Sequence, residues 1–329
     1  MQGDTFSSVP PHGTLHRMSI QITSPDGTAA SRFAFGTMQF GGTADAAASR
    51  AMFDACLNAG ITHFDTAYLY TDGAAETLLG KLAAPHRDRL VIATKAGYSG
   101  GAGAANIRAQ FDISRQRLGM DHVDILYLHR FDADTALEET LECFADLKSR
   151  GQISHVGLSN FAAWQVMKAA CIAARFDLQI SILQPMYSLV KRQAEVEILP
   201  MAASEGMVVA GYSPLAGGLL TGKYARGETG RLTGNERYAI RYGQDWMQEA
   251  ATALVDIAAE LGTDPATLAV AWAAGHPAGP VPLISGRSAE QIAPSLAAID
   301  FEMDDALYQR LAALTPAPPP ATDRTEEGA

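Results

Sequence analysis

From about residue 34 onward, short runs of apolar, β-prone residues alternate with longer stretches in which apolar positions recur at helical spacing. The runs are Ala34 to Met38, Thr62 to Thr66, Leu90 to Lys95, Asp124 to His129, His155 to Asn160, Ser181 to Gln184, Val208 to Ser213 and Pro282 to Gly286. Between them, spacings such as Ala51, Cys56 and Leu57, or Leu137, Leu141, Phe144 and Leu147, predict helices that bury one face. Strand and helix in strict alternation mean parallel strands joined by crossover helices. Eight such units fill the roughly 250 residues of a closed barrel, whereas a doubly wound open sheet usually stops at about five to seven strands. The expected fold class is α/β, a single (β/α)8 TIM barrel.

Three segments stand outside this alternation. Residues 17–32 are expected to form an N-terminal β-hairpin beneath the barrel, turning at Pro25-Asp26-Gly27. The polar stretch 222–244 shows no evident structure and reads as one of the long active-site loops, because structureless loops of this length usually serve as lids or binding loops. Residues 1–16 and the tail 316–329, with Pro316, Pro318, Pro319 and Pro320 followed by mixed charges, read as disordered, leaving 17–315 as the barrel. The glycines at 100, 101 and 103 miss the Gly-x-Gly-x-x-Gly spacing of a dinucleotide loop and read as a flexible connection.

Composition narrows the function classes. Hydrophobic residues make up 47% of 329, enough for one large core, and no apolar run approaches the roughly 20 residues of a membrane span, so a soluble protein is expected. The net charge of −11, without a basic cluster, excludes nucleic acid as the expected partner. Cys56, Cys143 and Cys171 are odd in number and widely spaced, and no secretory signal precedes them, which fits a reducing cytoplasm. His86, His122 and His155 lack metal-ligand spacing, so no metal is expected. Gly211 to Leu215 lacks the last glycine of a nucleophile elbow.

In a barrel the C-terminal ends of the strands form the active face. Asp65 ends the second run, Tyr70 follows five residues later, Lys95 ends the third run and His129 the fourth. One strand-end aspartate is more often a helix cap, and one lysine after a strand is usually solvated. Four ionisable groups at one end of three consecutive strands must lie close together. A tyrosine, with an ordinary pKa near ~10, is a poor acid, but an adjacent ammonium favours its phenolate. At about 4 Å and an effective dielectric of about 20 that attraction is on the order of 4 kcal/mol. The expectation is therefore a Tyr70 made more acidic by Lys95, with Asp65 holding Lys95 charged. A neutral His129 would hydrogen-bond a substrate carbonyl. No side chain is set up as a nucleophile, so the attacking species must come from a cofactor.

The runs FDTAYLY, ATK and LYLH at these intervals resemble the catalytic tetrad of the aldo-keto reductase superfamily, and the likeness extends over nearly the whole barrel. QPMYSLVKRQ and SPLAGGLLTGKY are most similar to the branch of aflatoxin-aldehyde and succinic-semialdehyde reductases. The resemblance implies an oxidoreductase that passes hydride from NADPH, with NADH as the alternative, to the carbonyl of a small-molecule aldehyde or ketone. Tyr70 would give the proton, assisted by Lys95 and Asp65, with His129 orienting the substrate.

Residue by residue, the resemblance implies that Ser159, Asn160 and Gln184 anchor the nicotinamide carboxamide and that Tyr212 stacks on its ring. Asn and Gln supply the donors and acceptors that a primary amide needs, and an aromatic face suits a planar ring. Ser213, Pro214, Leu215, Gly217, Gly218, Gly222 and Lys223 would form the segment that folds over the pyrophosphate, with Arg231 assisting. Ser285, Gly286, Arg287 and Ser288 would meet the 2′-phosphate at a helix N-terminus. Gln291 matches the branch, but Ser295 stands where an asparagine usually reads the adenine, after an atypical Pro294. Substrate choice is expected to sit in Arg130 to Thr135, in 224–244 and near the C-terminus, with Phe40, Tyr68, Tyr98, Tyr238 and Tyr242 divided between pocket lining and packing. The competing reading is a cofactor-binding regulatory module with slow turnover, the class that potassium-channel β subunits resemble. The complete tetrad favours the enzyme. Oligomeric state is not legible in the chain.

Overall fold

Eight parallel strands close into a barrel in the order of the chain, β1-β2-β3-β4-β5-β6-β7-β8. They are β1 (Ala34–Gly36), β2 (His63–Asp65), β3 (Val91–Ala96), β4 (Val123–Leu128), β5 (Ile153–Ser159), β6 (Ile180–Gln184), β7 (Val208–Tyr212) and β8 (Val281–Ile284), each within two residues of its sequence-based bounds. This computed structural model describes residues 20–322 and 324. The readings for residues 1–16, and for the parts of the barrel and tail at 17–19, 323 and 325–329, lie outside the described residues.

Alternation along β3 and β4 builds two layers. Val91, Ala93, Ile125 and Tyr127 point into the barrel and pack with Ile182, Ala210 and Ile22. Ile92, Leu126 and Leu128 face outward into the larger core shared with the helices. Ile22 belongs to the N-terminal hairpin, where Thr23 pairs antiparallel with Ala29 and Ala30 N–H donates to Ile22 O at 2.9 Å. The hairpin therefore supplies an apolar stopper to the interior.

The helical stripe Leu137, Leu141, Phe144 and Leu147 is buried as its spacing predicts. The first helix, Ala46–Asn58, differs: Met52, Phe53 and Cys56 face the core, Ala51 is exposed and Leu57 is half-buried. Cys56 and Leu57 meet the core as their spacing predicts, and Ala51 does not, because alanine counts as apolar yet loses little when exposed.

Two loop readings are corrected. Segment 222–244 contains short helices Arg231–Gly234 and Glu236–Tyr242, the second capped by Asn235, whose side chain accepts from Arg237 N–H at 3.1 Å. Helices this short carry too few turns to show a period. The Gly100 to Gly103 connection is pinned rather than loose. Asn106 Nδ2 donates to Ser99 O at 2.8 Å and to Gly101 O, and Ala102 N–H donates to Asp132 Oδ2 at 2.8 Å. Among the described residues, no helix is long and apolar enough to cross a membrane.

Candidate active site

Parallel register places the ends of β2, β3 and β4 side by side, with Asp65 opposite Ala93 and Lys95 opposite Tyr127. Lys95 Nζ donates to the Asp65 carboxylate and, at 2.8 Å, to Thr66 O. The other Asp65 oxygen accepts from Gln184 Nε2 at 2.9 Å. Both charged groups are buried, Lys95 at 1% and Asp65 at 0% exposure. Burial works against the ammonium, but Asp65 and Tyr70 outweigh it and the Lys95 pKa lies above its usual value. The lysine is charged at neutral pH.

Its ammonium stands 5.1 Å from the centre of the Tyr70 ring and 5.7 Å from that of Tyr127. The electrostatics of Tyr70 correct the sequence-based expectation. Burial pushes its pKa up, Lys95 pulls it down and Asp65 pushes it up again, and the net direction is upward. Burial is the largest cause, and the carboxylate that keeps Lys95 charged opposes its field at the phenol. Tyr70 is therefore a protonated donor in the resting site.

His129 follows β4 and is flanked by two aromatic edges, Tyr70 at 6.0 Å and Tyr98 at 5.0 Å. Burial, then Lys95 and Arg130, push its pKa down to about 3, so it is neutral. Its Nδ1 is buried without a partner. The Arg130 guanidinium lies 4.7 Å over Tyr98, and Asp132 takes hydrogen bonds from Ala102 N–H at 2.8 Å and Thr135 Oγ1 at 2.7 Å. The loops after β3 and β4 thus form one wall. Phe40 and Tyr242 are fully buried packing residues, while Tyr98 is 38% exposed at the mouth.

On the opposite rim, Ser159 Oγ donates to Gln184 O at 3.1 Å, and Asn160 Nδ2 donates to His129 O and Ser159 Oγ, each at 3.0 Å. Tyr212 Oη donates to Asn160 Oδ1 at 2.8 Å. Ser159, Asn160, Gln184 and Tyr212 are thus gathered beside the tetrad. Gln184 donates one of its two amide hydrogens to Asp65, a link invisible in sequence because 119 residues separate the two.

After β7, Ser213 adopts a φ of 60° and leads through Pro214 and Leu215 into the turn Ala216–Thr221. Gly217 and Gly218 have φ of 67° and 96°, conformations that favour glycine. Tyr238 packs onto Gly217, leaving no room for a Cβ there, and Arg231 lies 5.4 Å over the Tyr238 ring. Lys223 lies 4.9 Å over Tyr224. A cation on an aromatic face keeps its charge free for an anion.

At the end of β8, Ser285 Oγ is buried and unpartnered, and Ser288 caps the helix Ala289–Ala297, accepting from Gln291 N–H at 3.3 Å. Gln291 Oε1 accepts from Arg287 N–H at 2.8 Å, while the Arg287 side chain is exposed. Gly286 lies against Ile292 and Gln291. Ser295, in the same helix, is 1% exposed and its hydroxyl, like that of Ser285, has no partner. The unpartnered Ser285 hydroxyl, the exposed Arg287 and the glycine turn fit a phosphate-bearing dinucleotide.

Tyr127 went unnoticed in sequence, although the two-residue period Ile125, Tyr127, His129 puts it directly beneath the site. The pinning role of Asp132 had no sequence signal.

A model of the aldo/keto reductase family matches residues 32–316. An uncharacterized oxidoreductase, YrpG, of Bacillus subtilis is 32% identical over 89% of this chain and 94% of its own. A probable voltage-gated potassium channel subunit beta of Oryza sativa is 33% identical over 83% and 89%. Aflatoxin B1 aldehyde reductase member 2 of Homo sapiens is 38% identical over 65% and 64%.

Proposed function

The chain belongs to the aldo/keto reductase family of NAD(P)H-dependent oxidoreductases, and from that premise we propose that it reduces aldehydes or ketones to alcohols with NADPH, using Tyr70 as proton donor. The observation that carries this reading is the buried Lys95, clamped by Asp65 and Thr66 O and facing a protonated Tyr70. The nicotinamide, when bound, supplies the hydride.

As negative charge grows on the carbonyl oxygen, the Tyr70 hydroxyl passes its proton to that oxygen. The phenolate left behind faces the Lys95 ammonium, which stabilises it in a site shielded from water. His129, neutral, donates a hydrogen bond that holds the carbonyl toward Tyr70. Tyr127 and the apolar layer below keep water out from underneath.

Ser159, Asn160 and Gln184 would hold the carboxamide and Tyr212 the ring. Ser213, Pro214, Leu215, Gly217, Gly218, Lys223 and Arg231 would surround the pyrophosphate, and Ser285, Gly286, Arg287, Ser288 and Gln291 the 2′-phosphate, with Ser295 behind them. The barrel at 17–315 works as one unit, and its setting is the cytoplasm. Mixing the protein with NADPH and 4-nitrobenzaldehyde is expected to consume the absorbance of reduced nicotinamide. The likeness to the rice channel subunit supports a second reading, a regulatory module with slow turnover, and no consumption across a broad aldehyde panel would favour that one instead.

Cofactor preference has its own test. Arg287→Ala is expected to weaken NADPH binding roughly 10- to 100-fold, the size of a lost charge-assisted hydrogen bond, and to leave NADH binding nearly unchanged. Fluorescence titration with both cofactors reads the difference. Equal losses would move the 2′-phosphate away from Arg287.

A further inference from the structure

Behind the tetrad, on the outer side of β3, lies a second charged cluster that takes no part in the chemistry above. Arg117, in the last turn of the helix Ala104–Leu118, donates through Nη1 to Tyr68 O at 2.8 Å and pairs with Glu76 Oε2 at 3.1 Å. Its guanidinium also lies 4.8 Å over the Tyr68 ring. Glu76 is fully buried, and its other oxygen accepts from Thr94 Oγ1 at 2.7 Å. One end of this chain of contacts thus grips the backbone two residues before Tyr70. The other grips the residue immediately before Lys95.

The segment between those grips is strained. Thr71, Asp72 and Gly73 follow one another with φ of 47°, 53° and 91°. A β-branched residue in this region is an outlier, and such conformations persist only where the surroundings over-determine them. Thr71 Oγ1 donates to Phe40 O at 2.8 Å and accepts from Ala75 N–H at 3.0 Å, which fixes the far side of Tyr70. Arg117 fixes the near side, and it lies so close over Gly73 that any side-chain carbon there would collide with the guanidinium. Tyr70 opens the single irregular turn Tyr70–Gly73 between β2 and the helix Ala74–Ala83, and these contacts anchor that turn on both sides.

We propose that Arg117 is a positioning residue for proton transfer: with Glu76 and Thr94 it ties the loop carrying Tyr70 to the strand carrying Lys95. It touches none of the reacting atoms. The inference rests on the reading of Tyr70 as proton donor.

The test compares wild type, Tyr70→Phe, Arg117→Lys and the double variant Arg117→Met with Glu76→Gln, all in the full chain. Methionine keeps the apolar stem of Arg117, and the paired change avoids stranding a buried carboxylate, so the double variant is built to fold. Its kcat with 4-nitrobenzaldehyde, per NADPH-binding site, is expected to fall roughly 10- to 100-fold, since misplacement by about 1 Å costs on that order. The NADPH dissociation constant is expected to stay within about twofold, which a general loosening of the fold would not allow. Arg117→Lys restores the charge and part of the donor reach, and part of kcat with it. Wild-type kcat in the double variant, beside an inactive Tyr70→Phe, overturns the positioning role alone. A parallel fall in kcat and NADPH affinity also overturns it. An active Tyr70→Phe removes the proton-donor reading and this inference together.

Discussion

Tyr70→Phe is expected to lower kcat for aldehyde reduction by about 10² to 10⁴ while leaving NADPH binding within about twofold, the range that general acid catalysis by one positioned group supplies. Phenylalanine preserves the ring, its edge contact with His129 at 6.0 Å and its place 5.1 Å from the Lys95 ammonium, so the cavity keeps its shape. Only the hydroxyl is lost. No neighbour replaces it: His129, with a pKa pushed down to about 3, carries no spare proton at neutral pH, and the Lys95 ammonium is engaged by Asp65 and Thr66 O. Steady-state rates and a fluorescence titration of NADPH decide the matter. Undiminished turnover in this variant would sink the assignment.

Lys95→Met is expected to damage both activity and the fold. The Tyr70 phenolate loses its counter-charge, and Asp65, at 0% exposure, is left buried without the cation it pairs with. Breaking a buried pair from one side typically costs ~3–5 kcal/mol. Urea unfolding reads the second effect and kcat the first. The double variant Lys95→Met with Asp65→Asn is expected to recover most of the stability and none of the activity, because it removes the stranded charge without restoring the cation. A Lys95→Met protein that unfolds at the wild-type urea midpoint would contradict the buried pair.

The same pair sets a sign for pH. Because the folded Lys95 pKa lies above its unfolded value of 10.5, the stabilisation it provides is fully present below that value. It is lost as pH rises through the folded value. The lysine's share of stability is therefore insensitive to pH across the neutral range.

What sequence revealed of this molecule follows the range of each signal. Strand and helix periods are local, and all eight strands stand where the alternation of patterns put them. The convergence of Asp65, Lys95 and His129 follows from strand order alone, since parallel neighbours end at the same face. The pairing of Gln184 with Asp65 joins positions with no pattern in common, and so does the bond from Asp132 to the backbone of Ala102. The acidity of Tyr70 is not legible for a related reason: sequence shows the lysine as a neighbour, but the weight of burial against its field is a property of the assembled site. The facing of Ala51 is equally illegible, because a methyl group signals little about which way it points.

β3 carries consecutive duties on opposite faces, with Lys95 turned into the barrel and Thr94 turned out toward Glu76. A shift of one residue would exchange the faces of every side chain on the strand. Insertion or deletion within Val91–Ala96 would thus remove the cation from the chemistry and the hydroxyl from its carboxylate in a single event. Both faces together therefore fix the length of this strand. The segment at 222–244 pairs with no strand, so a change of length there leaves the register of the barrel untouched.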